Sequence, residues 1–414
     1  MFTPFSFFFF YITLFFRMPA FPILSVSRKP VLLVIFVSAF FFLYQIANHP
    51  KVSKQLQPVA YYTDYDEKAC LPQKQFINNP PAKKAKAAMV ILVRNKEQAD
   101  IAQTIVNFED RFNKNFKYPY VFLNEEPFTD EFKEAVKKAA PNADMRFGLV
   151  PENHWSYPVW VNKTLAAEKR AEMGRKGVYY GDLESYHHMC RYQSGFFFDH
   201  PLLDEFDWYW RVEPGVKYYC DITYDPFLFM EKYKKKYGFV VTLTELPETI
   251  PTLWQHVLEY AKTRRIDTSE KSHLLFPYFV NKDTGDFNLC HFWSNFEIAS
   301  LDLWRSPQYR DFFNYLDKTG NFFYERWGDA PVHSLAAGLF LETLEVHYFE
   351  DFGYQHDLYR HCPSPSKDIG CRCECPTGTS DESIDHDQHY DTCLPKWIQH
   401  EKEAKKKKSW DVWS

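Results

Sequence analysis

The run Asp207-Trp-Tyr-Trp-Arg-Val-Glu-Pro-Gly-Val-Lys-Tyr-Tyr-Cys-Asp221 passes from aromatic and aliphatic residues into an acidic one, Glu213, before Pro214-Gly215 forces a turn. A strand that ends in a carboxylate can hold a divalent metal at the edge of an α/β sheet, where ligands bind beyond the strand ends. Taken alone, the same run describes equally well a buried strand capped by a solvated turn. Arg94 closes the apolar run Ala88-Met-Val-Ile-Leu-Val93 and is placed to meet a nucleotide or its phosphates; as a bare strand-end arginine it would simply be solvated.

These residues need elements to position them. Residues 88–93 suit a buried parallel strand, and Ile101, Ile105, Val106 and Phe108 then mark a helix. Tyr118 to Leu123 predicts the next strand. Residues 127–140 predict a second helix, with Thr129 or Asp130 as its N-cap. This βαβα opening predicts an α/β sheet with a nucleotide-type site at its strand ends. Later strands are expected at Trp208 to Val212, Gly238 to Leu243 and Glu345 to Phe349.

The composition excludes some functions. The 414-residue chain has a net charge of -5 with both signs abundant, so nucleic acid is not an expected partner. The Lys405 to Lys408 run reads as a solvated end. Aromatic residues make up 19% of the chain, enough to serve both a core and the C–H faces of sugar rings. Pro30 to Ala47 is uncharged and mostly apolar, roughly 27 Å long as a helix, about one hydrocarbon core. Arg28 and Lys29 precede it, favouring a cytoplasmic N-terminus of residues 1–29 and a lumenal bulk. No small-residue cleavage pattern follows, which favours a retained anchor. Residues 1–17 are Phe-rich and broken by Pro4; Met18 is an alternative start that would leave them untranslated. Residues 48–86 read as a stem.

Nine cysteines stand at 70, 190, 220, 290, 362, 371, 373, 375 and 393. The Cys371-x-Cys373-x-Cys375 run lacks paired C-x2-C spacing, so disulfides in an oxidising lumen explain the cysteine-rich residues 364–414 better than zinc does. An odd count leaves at least one thiol free or paired between chains. Asn162-Lys163-Thr164 is a glycosylation sequon in keeping with that compartment.

Five motifs in order carry a resemblance. They are Gly181-Asp-Leu-Glu-Ser-Tyr-His-His-Met-Cys-Arg-Tyr-Gln-Ser-Gly-Phe-Phe-Phe198, Tyr209-Trp-Arg-Val-Glu-Pro-Gly-Val-Lys-Tyr-Tyr-Cys-Asp221, Thr249-Ile-Pro-Thr-Leu-Trp254, His291-Phe-Trp-Ser-Asn-Phe-Glu-Ile-Ala299 and Tyr324-Glu-Arg-Trp-Gly-Asp-Ala-Pro-Val-His333. Together they resemble the fungal α-1,2-mannosyltransferases of glycosyltransferase family 15, over residues 87–363. The resemblance implies a GT-A type α/β fold, a mixed central sheet flanked by helices, behind a single N-terminal anchor. It implies a Golgi hexosyltransferase that moves mannose from GDP-mannose to a mannose 2-hydroxyl on glycoprotein glycans of mannan or cell wall. It also implies retention of configuration and a need for Mn2+. Other Golgi mannosyltransferases are expected partners.

Residue by residue, Glu213 matches the family's metal carboxylate and His356, in Phe352-Gly-Tyr-Gln-His356, the second metal ligand; His347 is the competing histidine. That donor set suits Mn2+ better than Ca2+. Glu297 matches the candidate nucleophile, and in so apolar a run it needs buried partners whatever its role. Tyr186 matches an active-site tyrosine that meets the donor sugar. Asp329 and His333 are expected to bind donor or acceptor. One departure is His187, where family members more often carry Arg; it is expected to add pH sensitivity near about 6.5. The competing readings are a silent homologue that binds mannosylated glycoproteins or scaffolds other transferases, and a lumenal glycosidase.

Overall fold

A computed structural model describes residues 84–364, 369–376 and 384–411, with side chains to residue 407. The expected cytoplasmic segment, the anchor and nearly all of the stem lie outside the described residues. Among the described residues no helix is long and apolar enough to cross a membrane.

The described residues form thirteen strands: β1 (Ala87–Leu92), β2 (Tyr120–Asn124), β3 (Met145–Leu149), β4 (Trp208–Arg211), β5 (Lys217–Tyr218), β6 (Tyr237–Phe239), β7 (Thr242–Thr244), β8 (Cys290–Phe292), β9 (Glu297–Ser300), β10 (Val346–Tyr348), β11 (Tyr354–His356), β12 (Tyr359–His361) and β13 (Ile384–Asp385). The helices that bear on the site are α1 (Gln98–Phe108), α2 (Asp130–Ala139), α3 (Lys163–Arg175), α4 (Glu184–Gly195), α5 (Pro307–Asp317), α6 (Asp329–Phe340) and α7 (Leu394–Asp411).

The main sheet has seven strands in the order β10-β6-β9-β4-β1-β2-β3. Neighbours are parallel except around β9, which runs antiparallel to both β4 and β6. Strands buried on both faces need apolar residues at every position. Accordingly Ala88 and Val90 of β1 enter one core, while Ala87, Met89 and Ile91 enter the other. Thr129 caps α2, accepting from the Phe132 amide at 3.2 Å. The expected strand over residues 238–243 is two strands: β6 stays in the main sheet, and the chain then crosses at Val240-Val241 to pair β7 with β8. All these residues are apolar or β-branched, so periodicity could not locate the crossing.

Helix α6 is buried almost all round, from Asp329 to Leu339. A helix without a solvated stripe must lie inside the molecule, and its two ionisable residues therefore face protein. The chain past residue 363 folds back onto this body. Cys373 bonds to Cys220, Cys375 to Cys362 and Cys393 to Cys290. Cys190 is a buried free thiol. Trp397 of α7, fully buried, meets Phe239, Tyr278 and Phe292 edge-on at 5.2–5.5 Å.

The Cys290–Cys393 bridge closes a span of 103 residues, so its removal enlarges the unfolded ensemble greatly. The double variant Cys290→Ser/Cys393→Ser is expected to lose about 2 to 5 kcal/mol, measured by denaturant unfolding. Unchanged stability would mean that the Trp397 packing holds α7 without the bridge.

Candidate active site

Strand order reverses between β1 and β4, and in open α/β sheets that switch point opens a crevice at the carboxyl ends of the strands. Arg94 and Glu213 stand just beyond the ends of β1 and β4. Pro214-Gly215 turns the chain away immediately: Gly215 takes φ +81°, in the left-handed region, and its N–H donates to Thr104 Oγ1 of α1 at 3.0 Å.

Strand alternation sends Tyr209 and Arg211 to one side of the sheet, and Glu213 continues that series. Arg211 is buried. Its Nε donates to Glu213 Oε1 at 2.8 Å and Nη2 donates to the same oxygen. Its Nη1 donates to Asp329 Oδ2 and, at 3.3 Å, to Ser294 Oγ, which itself donates to Asp329 Oδ2 at 2.7 Å. The other Glu213 oxygen accepts from Asn295 Nδ2 at 2.8 Å and lies 3.7 Å from His356 Nε2. Glu213 and His356 keep 20% and 15% of their side chains exposed, enough to meet a ligand. The Trp293 ring stands edge-on to the His356 imidazole at 5.3 Å. His347 instead lies on β10 against Phe229 and Phe349, where burial pushes its pKa well down.

Burial alone would neutralise this cluster, but its charges hold one another. Desolvation opposes the Arg211 guanidinium, yet Glu213, Asp329 and Glu297 keep its pKa well above the ordinary value. Burial likewise opposes ionisation of Asp329, while Arg211, His333 and Ser294 outweigh it and hold the carboxyl below the usual range.

Antiparallel pairing of β9 with β4 places Glu297 opposite Arg211. Its carboxylate is 1% exposed. Oε1 accepts from the Tyr209 hydroxyl, which in turn accepts from Trp304 Nε1 at 2.8 Å. Oε2 meets His333 Nδ1 at 2.9 Å, and the other His333 nitrogen meets the Gln193 carbonyl at 3.2 Å. The Trp304 indole stacks on the His333 ring at 4.2 Å. Asp329 and His333, four residues apart on α6, thus face the interior and hold Arg211 and Glu297.

Tyr186, on α4, is half-buried beneath the Arg326 guanidinium at 5.6 Å, and burial pushes its phenol well up. Arg94 pairs instead with Glu125, its Nε donating to Oε1 at 3.2 Å. His187 is buried, with Nδ1 2.7 Å from the Phe322 carbonyl and Nε2 3.0 Å from that of Gly181. Burial holds its pKa below the usual value, so the expected titration near 6.5 moves to more acid pH. The reading from sequence missed Arg211, Ser294, Asn295, Tyr209 and Arg326. Arg211 carried a signal, because a residue two before Glu213 shares its side of a strand.

This chain matches the family model described as glycolipid 2-alpha-mannosyltransferase over residues 43–402. It is 54% identical over 299 residues to the glycolipid 2-alpha-mannosyltransferase of Saccharomyces cerevisiae, covering 72% of this chain and 66% of that protein. It is 49% identical over 314 residues to the alpha-1,2 mannosyltransferase KTR1 of the same yeast, covering 75% and 78%. The structure superposes with TM-score 0.71 on core-mannan synthase A (CmsA/Ktr4) of Aspergillus fumigatus in its Mn/GDP form, at 38% identity, covering 78% of this chain and 87% of that one. Against Ktr4p of S. cerevisiae in complex with GDP the TM-score is 0.72, again at 38% identity, covering 78% and 83%.

The Arg211–Asp329 pair gives a pH test. The Asp329 pKa is depressed in the folded state, so its stabilisation is fully present above the unfolded value of about 3.9 and is lost as pH falls through the folded value. Asp329→Asn is expected to lose about 3 to 5 kcal/mol at neutral pH and to show a flatter decline below about pH 4, read by unfolding across a pH series. By its motifs, its mixed α/β glycosyltransferase fold and these relatives, the chain belongs to the glycolipid 2-alpha-mannosyltransferase family.

Proposed function

We propose that this chain is a retaining α-1,2-mannosyltransferase of GT-A type, moving mannose from GDP-mannose to the 2-hydroxyl of a terminal mannose on glycoprotein glycans. The observation that carries the reading is the pairing of Glu213 Oε2 with His356 Nε2 at 3.7 Å beside the β1–β4 crevice. One carboxylate oxygen and one imidazole nitrogen, both partly exposed, suit a Mn2+ ion, and these two residues would hold it. Such an ion offsets the negative charge that develops on a departing nucleoside diphosphate. The Mn/GDP form of core-mannan synthase A and the GDP complex of Ktr4p support the same reading.

In this reading Arg211 and Asn295 orient the Glu213 carboxylate, and Asp329 fixes Arg211. Tyr186, with Arg326 above its ring, borders the donor sugar, and Arg94 meets the nucleotide end. Glu297 supplies a desolvated negative charge near the reacting face, held by Tyr209 and His333, where an oxocarbenium-like centre gains most from it. We further propose a Golgi location with a single-pass anchor at residues 30–47, a lumenal catalytic domain and other Golgi mannosyltransferases as partners.

The test is transfer by the purified full-length chain from GDP-mannose to methyl-α-mannoside, with and without Mn2+, with linkage and anomeric configuration read by NMR. An α-1,2 product dependent on Mn2+ is expected, and Glu213→Gln and Glu297→Gln should each lower turnover by about 100-fold or more. A folded chain that binds GDP yet transfers nothing, even to native glycans, would make it a silent homologue.

A further inference from the structure

The C-terminal run His386-Asp-Gln-His-Tyr-Asp391 plays no part in the mechanism above. It folds as two tight turns. A 3-10 turn spans His386–Gln388, started by Asp385, whose side chain accepts from the Asp387 amide at 3.2 Å. The His389 amide then donates to the His386 carbonyl at 3.1 Å, and the Thr392 amide to the His389 carbonyl at 3.2 Å. At three residues per turn, positions i and i+3 eclipse, so the two imidazoles come to the same side. Their ring centroids are 5.7 Å apart.

Both rings point at one oxygen. His386 Nε2 lies 3.0 Å from Asp391 Oδ1, and His389 Nδ1 bonds to the same atom. The three ligand atoms all fall within 4.8 Å of one another. Bonds of about 2.0–2.2 Å to a tetrahedral ion place ligand atoms roughly 3.4 Å apart, so only a slight rearrangement separates this cluster from a coordination shell.

The surroundings favour an ion as well. His386 is 1% exposed and carries the Tyr359 ring edge-on at 4.8 Å, while His389 and Asp391 are 18% and 16% exposed and face solvent. One side of the cluster is thus walled off and the other open to an entering ion. The nearby Asp387 is engaged with His361 Nδ1 at 2.6 Å, leaving Asp391 as the carboxylate between the rings. The frame is rigid: the Asp391 carbonyl accepts from the Thr244 amide at 3.0 Å, and Cys393 is bonded to Cys290.

We infer that His386, His389 and Asp391 form a divalent-metal site of zinc type, distinct from the Glu213–His356 pair. Two imidazoles and a carboxylate leave a fourth position for water, and this donor set selects Zn2+ over Mg2+ or Ca2+. An ion there would clamp the loop between β13 and α7 to β7, whose Thr244 amide donates to the Asp391 carbonyl.

The test is zinc content and thermal stability of the full-length chain after chelator treatment, reloading with Zn2+ and desalting. Glu213→Gln, which weakens the other pair, serves as the background. It is expected to retain one tightly held ion, which is lost in Glu213→Gln/His389→Gln and in Glu213→Gln/Asp391→Asn. Reloading should raise the Tm of the background protein by several degrees and leave that of either double variant unmoved. If His389→Gln fails to fold, as judged by near-UV circular dichroism, Asp391→Asn carries the comparison. Equal zinc content in folded variants and background would mean an adventitious ion only and overturn the site. Because every comparison is made without activity, its failure is distinct from failure of the transferase reading.

Discussion

A guanidinium removed from water at the end of β4 is the constraint around which the site is built. Arg211 keeps 6% of its side chain exposed, and a buried cation survives only if carboxylates surround it. Glu213, Asp329 and Glu297 do so from three directions: the turn after β4, the start of α6 and the start of β9. Three carboxylates around one guanidinium leave a surplus of negative charge. That surplus lies nearest the surface at Glu213, beside an imidazole. The arrangement that satisfies a buried arginine therefore also prepares a place for a cation.

Meeting this constraint dictates much of the architecture. Glu297 reaches Arg211 only because β9 inserts antiparallel between β4 and β6, pairing Arg211 with Glu297 in register. Asp329 reaches it only because α6 runs through the interior, nearly every residue of it buried. The i, i+4 spacing on that helix brings His333 to Glu297 while Asp329 serves Arg211. A shift of one residue in either element would leave a charge unpaired in the core. Unpaired buried charge is the costliest of errors, so the register is strongly determined.

Local chemistry was legible in the sequence, and tertiary pairing was less so. The β1-α1-β2-α2 opening followed from apolar runs and a Thr cap, and Pro214-Gly215 marked the turn that exposes Glu213. Glu297 announced its need for partners by standing in an apolar run. Who those partners were, Tyr209 on a strand and His333 on a helix, depends on elements brought together across 88 and 36 residues of sequence. No periodicity reports such distances. The motif resemblance proposed roles for Asp329 and His333 but not their direction, and both turn inward. His187 shows the same gap: the residue type speaks of titration near neutrality, and only burial between two carbonyls reveals otherwise.

The disulfides set a schedule for the chain's manufacture. Cys373 and Cys393 must find Cys220 and Cys290, which leave the ribosome 153 and 103 residues earlier. Until the final segment emerges, those two early thiols are unprotected and available to wrong partners. The sheet edge is also incomplete, since β6 waits for β10 and the Phe239–Phe292 surface waits for Trp397. A stalled or truncated product would therefore display open thiols and bare aromatic surface together.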